Sequence, residues 1–245
     1  FSLPAGLPAR IDSLDDIEAV AQTIRQAWKL GIDALPALID TLELHGIKVF
    51  VTSTDGDRTF DGLSATANGK PIVLIVGGAH QPGDRQRFTL AHELGHLILK
   101  DRLSQRLDEE KACHRFAGAF LAPKDSVLRA LGPQRTWLEP LELQLLKKEW
   151  GLSMGSWTLR ARDLGIMSAA DTSKMWNLFK QHGWDKKEPG EQYPREQSRG
   201  FEQLVYRALA EDHISESKAA ELLGLPLSEF AAQRHMGMKP DVARQ

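Results

Sequence analysis

Apolar residues recur at helical spacing over residues 12–30, at Leu14, Ile17, Val20, Ile24 and Trp28, and the run stops at Gly31. That period predicts an amphipathic helix. Residues 34–45 repeat it and end at Gly46, a residue suited to a helix C-terminus. The pattern then switches to short β-like runs. Residues 47–52 lead into a Thr-Asp-Gly-Asp turn cluster, and residues 59–65 and 72–76 flank Asn68-Gly69, the dipeptide of tight hairpins. A small, mostly antiparallel sheet of about three strands is expected.

After a loop over 77–83 the spacing is helical almost to the end. Asp84 reads as the N-cap of a helix running to about Lys100. Further helices are expected over 108–121 (stopped by Pro123), 124–131, 140–150, 154–164 and 168–182. Residues 186–200 are polar and rich in Pro, Gly, Gln and Glu, and read as a linker. Residues 201–210 and 215–223 form a last helical pair, and 213–230 has the outline of a helix-turn-helix. The fold class expected is α+β and mostly helical: a small antiparallel sheet packed on one central helix, followed by an all-α C-terminal region. The organisation expected is a linker over 1–11, a core over 12–165, and a helical region over 166–245. That region contains the linker at about 186–200 and the helix-turn-helix-like pair at 201–230.

Composition narrows the function classes. The chain has 245 residues, 42% hydrophobic, with 31 basic and 33 acidic side chains. A near-neutral balance lacks the basic footprint of general nucleic-acid binding. From 191 to 245 there are 7 basic and 9 acidic residues, a net of −2, so the helix-turn-helix outline reads as a packing or protein-contact module. One cysteine, Cys113, excludes a disulfide framework and any multi-cysteine metal site. No apolar run approaches the length of a membrane span, and no charged-then-apolar leader opens the chain. A cytoplasmic protein is expected, with no membrane and no direct nucleic-acid partner; the oligomeric state is not legible.

The candidate chemistry lies on the helix expected over 84–100. His92-Glu93-Leu94-Gly95-His96 matches H-E-x-x-H. Residues i and i+4 share a helix face, so both imidazoles can point at one metal ion. Glu93 sits beside that face, where it can act on a water as a general base without ligating the metal. Two histidines do not complete a catalytic site, which usually has three protein ligands. Position 102 is Arg, so a third histidine at the metzincin spacing is absent and a carboxylate is expected. Glu109 and Glu110 lie near opposite edges of the stripe marked by Cys113, Phe116, Ala117 and Phe120, and periodicity does not choose between them.

The run from Arg85 to His96 (RQRFTLAHELGH) is followed by Glu110-x-x-Cys-His-x-Phe-Ala-x-x-Phe-Leu-Ala-Pro123. Together they resemble the ImmA/IrrE family of metallopeptidases. The segments Gly46-Ile-Lys-Val, Phe60-Asp-Gly-Leu-Ser64 and Trp150-Gly-Leu-Ser153 are also similar, so the resemblance covers roughly residues 30–165. It implies a minimal gluzincin-like fold with His92, His96 and Glu110 as metal ligands and Glu93 as the catalytic base. The implied metal is Zn²⁺, with Mn²⁺ or Fe²⁺ also suited to such a donor set. It further implies an endopeptidase that cleaves a helix-turn-helix transcriptional repressor and so switches on stress, prophage or mobile-element genes. Members often carry a helix-turn-helix domain before the peptidase, and the start at Phe1 is consistent with the loss of one. The chain departs from the family pattern at His114, where asparagine or aspartate is usual, and at Cys113, where alanine is usual.

His114, Arg115 and His80 are candidates for contacts around the ligands or with substrate. His114, Arg115, Tyr193 and Tyr206 could supply an oxyanion donor. Gly151-Leu-Ser-Met-Gly155 matches G-x-S-x-G, but a helix is expected where a nucleophile elbow needs a strand. Ser153 therefore reads as the N-cap of the next helix. Cys113 and His114 are adjacent and point about 100° apart on a helix, so they form no nucleophile pair. The alternative to a peptidase is a non-catalytic, metal-containing regulatory or protein-binding module.

Overall fold

A computed structural model describes residues 1–52, 61–76 and 81–234. The described elements run α1 (Asp16–Ala27), α2 (Leu38–Leu44), β1 (Lys48–Thr52), β2 (Gly62–Ala67), β3 (Lys70–Val76), α3 (Gly83–Leu99) and α4 (Glu109–Leu121). There follow α5 (Lys124–Leu131), α6 (Pro140–Trp150), α7 (Met154–Asp163), α8 (Ala169–Gln181), α9 (Arg199–Ala210), α10 (Glu216–Leu223) and α11 (Leu227–Arg234). The fold is α+β and mostly helical, with a three-stranded sheet and an all-α C-terminal region. None of the described helices is long and apolar enough to cross a membrane.

The sheet has the order β1-β3-β2. β2 and β3 form the expected antiparallel hairpin, with Ala67 opposite Lys70. The intervening Asn68 and Gly69 both have positive φ (52° and 74°), as a type I′ turn requires. β1, however, pairs with β3 in parallel, Lys48 opposite Ile72 through Thr52 opposite Val76, so the sheet is mixed rather than mostly antiparallel. The reason is one of range. A hairpin signal acts over two residues, whereas β1 reaches β3 across a long connection that carries no such signal.

α2 is shorter than its apolar period suggests, because Pro36 restricts Leu35 to extended backbone and the helix begins only at Leu38. α3 begins at Gly83 with Pro82 in the N-cap position, so Asp84 is not the cap. Asp84 is instead buried, its carboxylate 2.9 Å from Lys147 Nζ on α6. Ser153 caps α7 as expected, accepting from Ser156 N–H at 3.1 Å, with α6 rather than a strand before it.

Two compact units are present, Phe1–Glu196 and the chain from Gln197 onward. In the first, α3 lies between the sheet and α4. Leu90, Leu94 and Ile98 of α3 pack with Val73 and Ile75 of β3, Phe116 and Phe120 of α4, and Ile17, Val20 and Ile24 of α1, all buried. A methyl group at Gly95 would meet Cys113 Cα at 3.2 Å, so the missing side chain is what lets α3 and α4 approach closely. Arg160 of α7 forms a fork with Glu18 of α1 at 2.6 and 3.0 Å, and Arg115 of α4 joins the same carboxylate at 2.8 Å. Ile11 is fully buried and pairs with the 102–104 segment, donating to Arg102 O at 2.8 Å and accepting from Ser104 N–H at 2.9 Å.

The polar stretch after α8 is tied down as far as Glu196. Glu188 accepts from Met154 and Gly155 N–H at the start of α7, at 3.1 and 3.0 Å. Glu196 accepts from Leu38 N–H at the start of α2, at 2.8 Å. Both carboxylates satisfy N–H groups that a helix start leaves without partners. The second unit packs Val205, Ala219, Ala220 and Phe230 from its three described helices, with Tyr206 stacked on Phe230. Its α10 and α11 are joined by the turn Gly224-Leu225-Pro226.

Candidate metal centre

Helical spacing puts His92 and His96 on one face of α3, and the close α3–α4 packing brings α4 across that face. His92 Nε2 and His96 Nε2 lie 3.2 Å apart. Glu110 Oε2 is 3.3 Å from His92 Nε2, and Glu110 Oε1 is 3.4 Å from His96 Nε2. Ligands at the usual 2.0–2.1 Å from a tetrahedral ion are separated by about 3.3 Å, so each spacing is close to that between two ligands of one ion, with the two histidines met by different oxygens of Glu110. Two imidazole nitrogens facing each other at this distance repel unless a proton or a cation lies between them. Burial pushes the His92 pKa down to about 4, helped by the neighbouring His114 and His96 and opposed by Glu110. The ring is thus held in the neutral form that binds metals.

Glu109 has a separate place. Its Oε1 lies 2.8 Å from His96 Nδ1. With Nε2 turned toward His92 and Glu110, the Nδ1–H donates to Glu109, and the carboxylate fixes the tautomer and the ring angle. Glu109 and Glu110 thus meet His96 at different ring nitrogens, Nδ1 and Nε2. Glu109→Gln is expected to weaken metal affinity about 10–100-fold, measured by competition with a chromophoric chelator; an unchanged affinity would remove this role.

Glu93 is nearly buried and lines the same cleft. Burial raises the carboxyl pKa, opposed by hydrogen bonding from Ser64 of β2 and by His96, and reinforced by Glu110. Ser64 and Gly62 are contributions that the sequence reading did not assign. A Cβ at Gly62 would meet Thr89 Cγ2 at 2.6 Å and Glu93 Oε1 at 2.8 Å, with both neighbours on buried positions of α3. Gly62→Ala is therefore expected to displace the Glu93 carboxylate and to lower turnover by at least tenfold, the loss that about 1.4 kcal/mol of barrier brings, with metal content unchanged. Loss of the metal together with the rate would show a wider disturbance.

The cleft has a volume of about 1330 Å³, with β2 along one wall and α3 and α4 along its floor. His114 lines it, its ring 4.6 Å from that of His92 and 5.5 Å from Phe88. Arg115 does not line it; the guanidinium is held by Glu18, with Asp15 at 3.3 Å. Tyr193 stacks under Arg87 at 5.4 Å, away from the cleft lining. Tyr206 belongs to the second unit. His80 lies outside the described residues. Cys113 is buried, and its thiol pKa is raised by burial first and then by Glu109, Glu110 and Glu93, which disfavours the thiolate needed for ligation.

Two histidines of one helix and a glutamate of the next thus converge beside a second, sheltered glutamate. Residues 42–162 match the family profile described as the IrrE N-terminal-like domain of a peptidase family. Residues 42–162 belong to this family. The matched span runs from α2 through α7 and contains every residue of the cluster. Membership supports a metallopeptidase-type function, and α3 and α4 carry the candidate metal-binding residues. No curated protein matches the chain.

Proposed function

We propose that the chain is a cytoplasmic, metal-dependent endopeptidase that cuts a helix-turn-helix transcriptional repressor and thereby releases stress, prophage or mobile-element genes. The observation that carries the peptidase reading is the convergence of His92, His96 and Glu110 at 3.2–3.4 Å beside Glu93. Zn²⁺ suits two imidazoles and one carboxylate best, with Mn²⁺ and Fe²⁺ as its competitors. The choice of a repressor as substrate rests on the family resemblance.

When bound, the metal polarises the scissile carbonyl and lowers the pKa of a water to about 7. Glu93 takes the proton of the attacking water and later hands it to the leaving amine. Its sheltered position against β2 keeps the carboxylate aimed into the cleft and weakly solvated. β2 pairs only with β3 among the described strands, and its other edge can hold a substrate segment extended by main-chain hydrogen bonds. Glu109 holds His96 in the ligating tautomer throughout.

The test is to incubate the metal-loaded chain with repressors encoded beside its gene and to read the products by mass spectrometry. A single defined cut that a chelator abolishes and added metal restores is expected. Stoichiometric metal with no cleavage of any of them would favour a non-catalytic regulatory module instead.

A further inference from the structure

Glu110 and His114 are four residues apart on α4, so they share the face that looks onto His92 and His96 of α3. The two i, i+4 pairs form a box of four donor side chains. Within it the ligand atoms of His92, Glu110 and His114 all lie within 4.8 Å of one another. His114 is exposed, and its ring makes tilted contacts with those of His92 and Phe88. A rotation of the side chain can bring its nitrogen to the separation of about 3.3 Å expected between ligands of one tetrahedral ion.

We propose that His114 is a fourth protein ligand of the metal held by His92, His96 and Glu110. A catalytic site keeps three protein ligands and one open position, whereas a closed set of four is the mark of a structural or resting site. His114 therefore gives this chain a latent state: the position that a water needs is filled until the ring swings back toward Phe88.

This inference rests on the metal site proposed above, and X-ray absorption at the zinc edge of the full chain tests the two separately. The wild-type protein should show three imidazoles, and His114→Asn two. The wild-type number decides the matter even if the variant folds poorly. In the cobalt-loaded form, azide should change the visible spectrum of His114→Asn and leave that of the wild type unaltered. Zinc affinity should fall at least about tenfold in the variant, the lower end of what even an outer partner of a ligand is worth. Two imidazoles in both proteins, with azide binding to both, would overturn the assignment. That result would leave His92, His96 and Glu110 in place and make His114 an outer contact or a substrate contact. Failure of the wild-type protein to take up metal would overturn the metal site itself, and the ligand with it.

Discussion

Glu93→Gln is expected to slow peptide cleavage by about 10²–10⁴-fold, the range that a positioned general base contributes, while metal uptake stays at the wild-type level. The substitution is close to isosteric. The amide oxygen can keep the hydrogen bond that Ser64 gives the carboxylate, and no ligand atom is touched. What is lost is the sheltered carboxylate that the mechanism uses as its base. The effect should fall on turnover rather than on substrate binding, because the proton transfer is made only in the transition state. Single-turnover cleavage of a cognate repressor, with metal analysis and circular dichroism on the same sample, separates the possibilities. Wild-type cleavage by the variant would end the mechanism. A loss of metal along with the rate would place Glu93 among the ligands instead.

The parts of this site that were legible in the sequence are those set by helical geometry. H-E-x-x-H encodes its own convergence, because four residues span about one turn, and no distant contact is needed to aim His92 and His96 together. The third donor is different in kind. Its position depends on how α4 crosses α3, and hence on the close approach at Gly95, which no helical wheel contains. Glu109 and Glu110 therefore looked equivalent from the stripe of α4, and resemblance to a family chose between them. The hairpin was legible from Asn68-Gly69, whereas the parallel partner of β1 was not.

The partners of several charged residues are hidden from the sequence for a related reason. Asp84 has the identity and position of a helix cap, but its partner is Lys147, 63 residues away. Glu188 and Glu196 sit in a stretch whose composition reads as linker. Each in fact supplies a carboxylate to a helix start far off in sequence. Composition reports how polar a segment is, not what its polar groups meet. The same limit hid Gly62, which matters because of where β2 passes Glu93 and not because of any local turn.

The largest stability effect is expected at Glu196. Arg87 is wholly buried on α3, five residues before His92, and its guanidinium donates to Glu196, with side-chain exposures of 1% and 5%. It also donates to Leu35 O at 2.7 Å and lies 5.4 Å from the Tyr193 ring. Glu196→Ala would leave that charge in the interior with carbonyl and ring partners only, and removing one member of a buried pair costs about 3–5 kcal/mol. The same change strips the N–H groups at the start of α2 of their acceptor, worth about 1 kcal/mol more. At about 2–4 °C per kcal/mol for a unit of this size, the melting temperature should fall by about 8–24 °C. The shift should persist at high salt, because a buried pair is poorly screened. The double variant Arg87→Met/Glu196→Leu should recover much of the loss, since a well-packed apolar pair often matches a buried ionic one. Thermal and denaturant unfolding of the three proteins tests this, and a Glu196→Ala shift below about 3 °C would show that water reaches Arg87 and that the pair does not hold α3. If the expected shift appears, metal affinity should fall with it, because the helix that Arg87 anchors is the one that presents both histidines.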